Sequence, residues 1–84
     1  MHISELPLRC PCCEFKTIGE RGAFEICAVC FWEDVGQDDH NADKILGGPN
    51  GPLSLSQGRL NYKEFGASRQ KDIPHVRSPK PSEL

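Results

Sequence analysis

The residues that could do chemistry come early. Five cysteines stand at Cys10, Cys12, Cys13, Cys27 and Cys30. Cys10-Pro11-Cys12-Cys13 and Cys27-Ala28-Val29-Cys30 each contain a C-x-x-C, with thirteen residues between Cys13 and Cys27. Two residues between cysteines let one tight turn aim both sulfurs at a single point. Two such turns face to face offer four thiolates to one cation. Zinc takes four of them in a tetrahedron at about 2.3 Å. The spacing predicts one structural Zn2+ per chain, bound by Cys10, Cys13, Cys27 and Cys30. Iron accepts the same four sulfurs. An odd number of cysteines fits poorly with a closed set of disulfides.

Cys12 is left over. It is either a reactive thiol or a small buried residue whose amide hydrogen-bonds a ligand sulfur. The second reading is preferred, because a reactive thiol needs a site that stabilises its thiolate. A set with Cys12 in place of Cys10 would put two ligands on adjacent residues, which is harder to close. Redox C-x-x-C chemistry usually uses a strand-to-helix turn in a βαβ unit, a pattern missing here. His40 beside Asp39 could be drawn as a base and its orienter, but no nucleophile motif accompanies it. The chain is therefore expected not to be an enzyme.

The elements that must position the sulfurs are few. Phe15-Lys16-Thr17-Ile18 and Ala23-Phe24-Glu25-Ile26 read as two short strands around a Gly19–Gly22 turn, with the cysteine pairs as knuckles at the base. Pro11 fixes φ in the first knuckle. Phe31 and Trp32 follow the second knuckle and are expected to cover the metal as a small core. One helix is predicted over about 55–65, with Ser54 as N-cap, Gln57 completing a capping box and Gly66 just past the end. Leu55, Gly58, Tyr62 and Phe65 share one face of it. Gly58 costs roughly 1 kcal/mol relative to Ala and would permit a close approach to the ribbon. Gly47–Pro52 is a turn cluster, and residues 78–84 read as an extended tail. The fold class is a small α+β metal-stapled domain: a zinc-ribbon or rubredoxin-like β-hairpin with two knuckles and one C-terminal helix, in a single domain over 1–84.

Composition agrees. The chain has 84 residues, 37% hydrophobic and 26% charged, with only six aromatics, so the core is thin and needs a staple. No apolar run is long enough for a membrane span. The segment from Met1 to Arg9 carries an early acid and no long apolar stretch, unlike a signal peptide. The expected compartment is the cytoplasm, where thiols stay reduced. The formal net charge is −2; four thiolates around Zn2+ would bring it to about −4, which opposes a general nucleic-acid binder. Arg9, Lys16 and Arg21 lie near the ligands in sequence, either offsetting this charge or simply solvated.

Residues 33–43 hold five acids and no Lys or Arg. Their spacing does not match an EF-hand loop. The stretch reads as an acidic patch that is either solvated or docked on a basic partner. The candidate partner-contact residues are Trp32, Glu33, Asp34, Asp38, Asp39 and Asp43. Beyond Gly66 the chain turns basic, with Arg69, Lys71, Arg77 and Lys80.

Cys-Pro-Cys-Cys at 10–13, Glu-Ile-Cys-Ala-Val-Cys-Phe-Trp-Glu-Asp at 25–34, Asn-Gly-Pro-Leu-Ser-Leu-Ser-Gln-Gly-Arg at 50–59 and Phe-Gly-Ala at 65–67 resemble the bacterial CPCC cysteine-rich domain. The resemblance covers about residues 8–77. Ala28 stands where the family often has proline, and Gly58 where it often has alanine; neither change removes a ligand. Some members resemble immunity proteins encoded beside toxins. The resemblance implies a protein that binds and occludes a cognate bacterial toxin. The alternatives are a nucleic-acid-binding zinc ribbon and a redox or metal-handling protein using Cys12. Fold alone cannot choose among them.

Overall fold

A C-x-x-C turn reverses the chain, so the residues on either side of it are the first that can pair. Short loops close at the least entropic cost, and both cysteine turns use this. In the computed structural model, which describes residues 7–84, β1 (Leu8–Arg9) runs antiparallel to β2 (Lys16–Ile18) across the first knuckle. Leu8 faces Ile18 and Arg9 faces Lys16, with an irregular register between them. Across the second knuckle the Cys27 amide donates to Trp32 O at 2.9 Å and the Phe24 amide to Asp34 O at 2.9 Å. Ile26 and Glu33 form an antiparallel bridge there.

The predicted pairing of 15–18 with 23–26 is therefore corrected. Each segment pairs across its own knuckle instead. The residues expected to turn between them have other partners. The Glu25 carboxylate accepts from the Gly19 and Glu20 amides at 2.8 and 2.9 Å, and Gly22 N–H donates to Asp34 Oδ2 at 3.0 Å. The reading of the N-terminus against a signal peptide falls largely on residues 1–6, outside the described residues. Among the described residues, no helix is long and apolar enough to cross a membrane.

Helix α1 spans Leu55–Phe65. Ser54 Oγ accepts from the Gln57 amide at 3.1 Å, while the Gln57 side chain bonds Asn61 Oδ1 at 2.8 Å. Only one arm of the predicted capping box forms. Gly66 ends the helix in the left-handed region at φ 82°, and its amide returns to Tyr62 O, a conformation that favours glycine. Leu55 and Gly58 are buried on the face turned to the knuckles. A Cβ at position 58 would lie 3.1 Å from Trp32 Cε3 and Cζ3 and 3.4 Å from Cys12 Sγ. The glycine is thus what lets the helix backbone rest on the indole. Gly58→Val is expected to destabilise the metal-loaded protein by about 1–3 kcal/mol, because overpacking outweighs the better helix propensity. Urea melts of the two proteins would read this difference.

The core is Cys10, Cys12, Ile18, Cys27, Val29, Cys30, Trp32, Ala42 and Leu55. Three of these, Cys10, Cys27 and Cys30, belong to the candidate metal site, and its fourth member, Cys13, packs against the core, so the two are built together. Trp32 is fully buried, and among the described residues its indole N–H has no hydrogen-bond partner. Residues 78–84, expected as an extended tail, instead fold back through a 3-10 turn over Pro81–Glu83. Glu83 accepts from both Arg77 guanidinium nitrogens at 2.8 Å and from the Lys80 amide at 2.8 Å. These bonds hold its carboxyl down to about 2, the Arg77 contact contributing most.

Candidate metal centre

Each knuckle builds half of the site in the same way. The Glu14 amide donates to Cys10 O and the Phe31 amide to Cys27 O, both at 2.8 Å. The Cys12 and Val29 amides donate to Cys10 Sγ and Cys27 Sγ, both at 3.4 Å. The residue after each pair, Glu14 or Phe31, takes a positive φ, 68° and 67°. That conformation costs a non-glycine residue roughly 1–2 kcal/mol. The cost recurs at the same step of both turns, so the geometry of the sulfurs sets it. The sequence hides this repeat, because no glycine marks either position. The φ strain at Phe31 is accompanied by stacking of its ring on His75 at 5.2 Å.

The two halves face each other. Cys10 Sγ lies 3.6 Å from Cys30 Sγ and Cys13 Sγ 3.7 Å from Cys27 Sγ. All four sulfurs fall within 4.8 Å of one another. A tetrahedron with metal–sulfur bonds of about 2.3 Å has edges of about 3.8 Å. A disulfide would need about 2.05 Å, and all five cysteines are free. Packed together, four thiols cannot all ionise unaided. Hydrogen bonds from neighbouring thiols, Cys13 first for Cys10 and Cys10 first for Cys27, push these two ionisations down. Cys13 and Cys30 are pushed up, first by their hydrogen bonds to Cys10. One soft cation resolves the conflict by replacing the protons. The donor set and its spacing fit a metal ion held by Cys10, Cys13, Cys27 and Cys30.

Contacts invisible in the sequence surround this set. Thr17 Oγ1 lies 2.9 Å from Cys27 Sγ. The Ser68 amide donates to Cys30 O at 2.7 Å, tying the chain beyond α1 to the second knuckle. Arg59 Nε donates to Pro11 O at 2.8 Å and so pins α1 to the first knuckle. Burial, and then the electrostatic influence of the nearby cysteines, Cys13 first, push the Tyr62 hydroxyl up to about 12. Nothing in residue type or spacing marks Thr17 or Ser68 for these roles.

Cys12 sits in the core with its amide on Cys10 Sγ, as the second of its two readings has it. Cys12→Ser is expected to keep a full metal equivalent. It should lose about 1–3 kcal/mol by placing a hydroxyl in an apolar site. Elemental analysis beside a urea melt reads both effects.

The six candidate partner-contact residues do not share one surface. Trp32 and Asp34 are fully buried. Asp34 Oδ2 accepts from Arg21 Nε at 2.7 Å, and Asp34 Oδ1 accepts from the Gly36 amide at 3.0 Å. Asp38 meets Arg21 NH1 at 2.8 Å and Asp39 meets Arg59 NH2 at 2.7 Å. The Arg21 contact holds the Asp38 carboxyl below the ordinary carboxylate range. The backbone of Glu33 bonds the Asn50 side chain through both its N–H and C=O. Asp43 is exposed and hydrogen-bonds Ser56 Oγ. Three of the five acids, Asp34, Asp38 and Asp39, pair with arginines from outside the stretch, and of these only Asp34 is buried. Arg9 and Arg21 serve such contacts too: Arg9 NH1 donates to Glu14 O at 2.8 Å.

Compared with known families, residues 8–83 match the family model described as cysteine-rich CPCC. No curated protein and no solved structure matches the chain.

Proposed function

Because this chain belongs to the cysteine-rich CPCC family, we propose that it is a zinc-stapled protein-binding module with no catalytic activity of its own. Its role is of the immunity type: it docks on a cognate toxin and occludes the cleft the toxin works through. The observation that carries the metal half of this reading is the set of sulfur separations at 3.6 and 3.7 Å. Four cysteine ligands close the coordination shell, whereas a catalytic zinc keeps a position open for water or substrate. Bound zinc supplies folding energy here, and the chain's own residues do the recognition.

The docking half draws on what the frame leaves outside. Phe24 and Ile26 are 59% and 50% exposed, and Ile45 and Leu46, neighbours in sequence, are 63% and 50% exposed. Each pair stands on a hydrogen-bonded segment: the Phe24 amide donates to Asp34 O at 2.9 Å. Gln37, itself buried, spends its amide on Asn41 O and Lys44 O at 2.9 and 2.7 Å, so the chain entering Ile45 is held. Rigid apolar side chains make efficient anchors because little entropy is lost on binding. The net negative charge would steer them towards a basic partner.

The test is co-expression with the product of the neighbouring gene in the source genome, followed by pull-down and titration. A tight complex is expected. Alanine at both Phe24 and Ile26, or at both Ile45 and Leu46, should speed dissociation. Salt-dependent binding to random DNA or RNA with no protein recovered would sink this reading and favour a nucleic-acid ribbon. Purified protein without stoichiometric zinc would sink the metal half.

A further inference from the structure

The four sulfurs are not equally protected. Cys10, Cys27 and Cys30 are buried, and Cys13 is only partly so. Cys27 has the Val29 amide at 3.4 Å and the Thr17 hydroxyl at 2.9 Å; Cys10 has the Cys12 amide at 3.4 Å. Among the described residues, no amide or hydroxyl donates to Cys13 Sγ, whose hydrogen-bond contact is another thiol. Cys30 Sγ likewise receives no amide or hydroxyl among the described residues, its contact being Cys10 Sγ, but it is buried. Hydrogen bonds draw charge from a thiolate, so Cys13 combines the lack of them with access. Reactivity in thiol–disulfide exchange follows nucleophilic character together with access.

Cys13 and Cys12 both border a cavity of about 360 Å3, Cys12 as a buried residue and Cys13 as a partly open one. Phe15 and Tyr62 wall it, their rings edge to face with centroids 6.4 Å apart. Arg59 and Lys63 bring two positive charges to it, against one acid, Glu14. Arg59 is committed to Pro11 O and to Asp39. Lys63 is exposed and forms no ion pair among the described residues. An aromatic wall, an exposed cation and a partly open cysteine together suit a small anion that reacts with thiolates.

We propose that Cys13 is a thiolation site, the point at which a small anionic disulfide enters the metal centre. The Cys13 thiolate attacks one sulfur of the disulfide. The metal–Cys13 bond and the disulfide bond break, a Cys13 mixed disulfide forms, and the other half leaves as a thiolate with the electron pair. The Cys13 sulfur is oxidised and the departing sulfur reduced by the same amount. Three cysteines remain on the cation, which is then released more readily. This inference rests on the metal reading, because the metal is what holds Cys13 as a thiolate. Protein purified without metal would remove that reading, while metal-loaded protein whose first adduct lies on another cysteine would overturn this inference alone.

The experiment treats metal-loaded protein with less than one equivalent of dithiobis(nitrobenzoate), a dianionic aromatic disulfide. Adducts are mapped by mass spectrometry and metal release is followed with a chromogenic chelator. The first adduct is expected on Cys13, with metal release tracking it. Lys63→Glu should slow this reagent about threefold at physiological salt, the Coulomb effect of reversing one exposed charge on a dianion. It should leave the neutral reagent dithiodipyridine unchanged. The salt dependence of the unmodified protein's rate reads the same charge without a substitution, and should appear for the dianion alone. A first adduct at Cys10, Cys12, Cys27 or Cys30 overturns the proposal. So does a Lys63→Glu or salt effect that is equal for the two reagents.

Discussion

Serine in place of Cys27 is expected to abolish metal binding and, with it, the folded state. The sulfur is buried, lies 3.7 Å from Cys13 Sγ, and anchors both the Val29 amide and the Thr17 hydroxyl. Its loss removes one ligand of four and gives two donors a shorter, neutral hydroxyl in place of the sulfur. Metal binding to small tetrahedral cysteine and histidine sites contributes about 10–16 kcal/mol near neutral pH. Folded domains are stable by only about 5–15 kcal/mol in total. The core offers little else, since four of its nine residues are cysteines. Chelation of the unmodified protein should therefore unfold it in one transition by circular dichroism, and metal should restore it. Acid should act like a chelator, because protons compete for the four thiolates: metal and fold are both lost as pH falls and return as it rises. A chelated or Cys27→Ser protein that kept its native spectrum would show that the apolar contacts suffice.

The second large effect is expected away from the metal. Arg21 donates from Nε to Asp34 Oδ2 at 2.7 Å, from NH1 to Asp38 Oδ2 at 2.8 Å and from NH2 to Gln37 O at 2.8 Å. The Asp34 side chain is 0% exposed. Truncating one partner of a buried pair leaves the other charge unpaired, at a cost of about 3–5 kcal/mol. Arg21→Ala should fall in that range in a urea melt of the metal-saturated protein. Arg21→Lys should rescue little, because a single ammonium cannot meet three acceptors set in a plane. Asp38→Asn is the control. Its side chain is 43% exposed, so it should cost within about 1 kcal/mol. Equal effects of Arg21→Ala and Asp38→Asn would mean that Asp34 is not the buried charge described here.

This fastening explains why the acidic run from Glu33 to Asp43 reads differently in sequence and in space. In the sequence it has no basic residue, so it looks like a charged surface awaiting a partner. Its counter-ions come from Arg21, thirteen positions before Asp34, and Arg59, twenty positions after Asp39. Charge patterning along the chain sees neighbours in sequence only. Trp32 carried two readings, cover for the cysteine cluster and partner contact; its full burial keeps the first, because aromatic surface beside the cluster has nowhere cheaper to go than over it.

The two cysteine turns and the helix were legible because each is local. Two residues between cysteines fix a turn, Ser54 and Gly66 fix the ends of α1, and neither needs distant parts of the chain. Strand pairing was not local enough. Phe15–Ile18 and Ala23–Ile26 carry strand-like residues, but residue type does not say which segment each will meet; the knuckles decided it by bringing Leu8–Arg9 and 32–34 closer. The sequence by itself determined that four cysteines would meet and that one helix would cover them. Only the tertiary structure decided how the sulfurs differ: Thr17 reaches Cys27, Gly58 admits Trp32, and Cys13 alone of the four is left partly open. Those outcomes depend on side chains that approach one another only after the chain has closed.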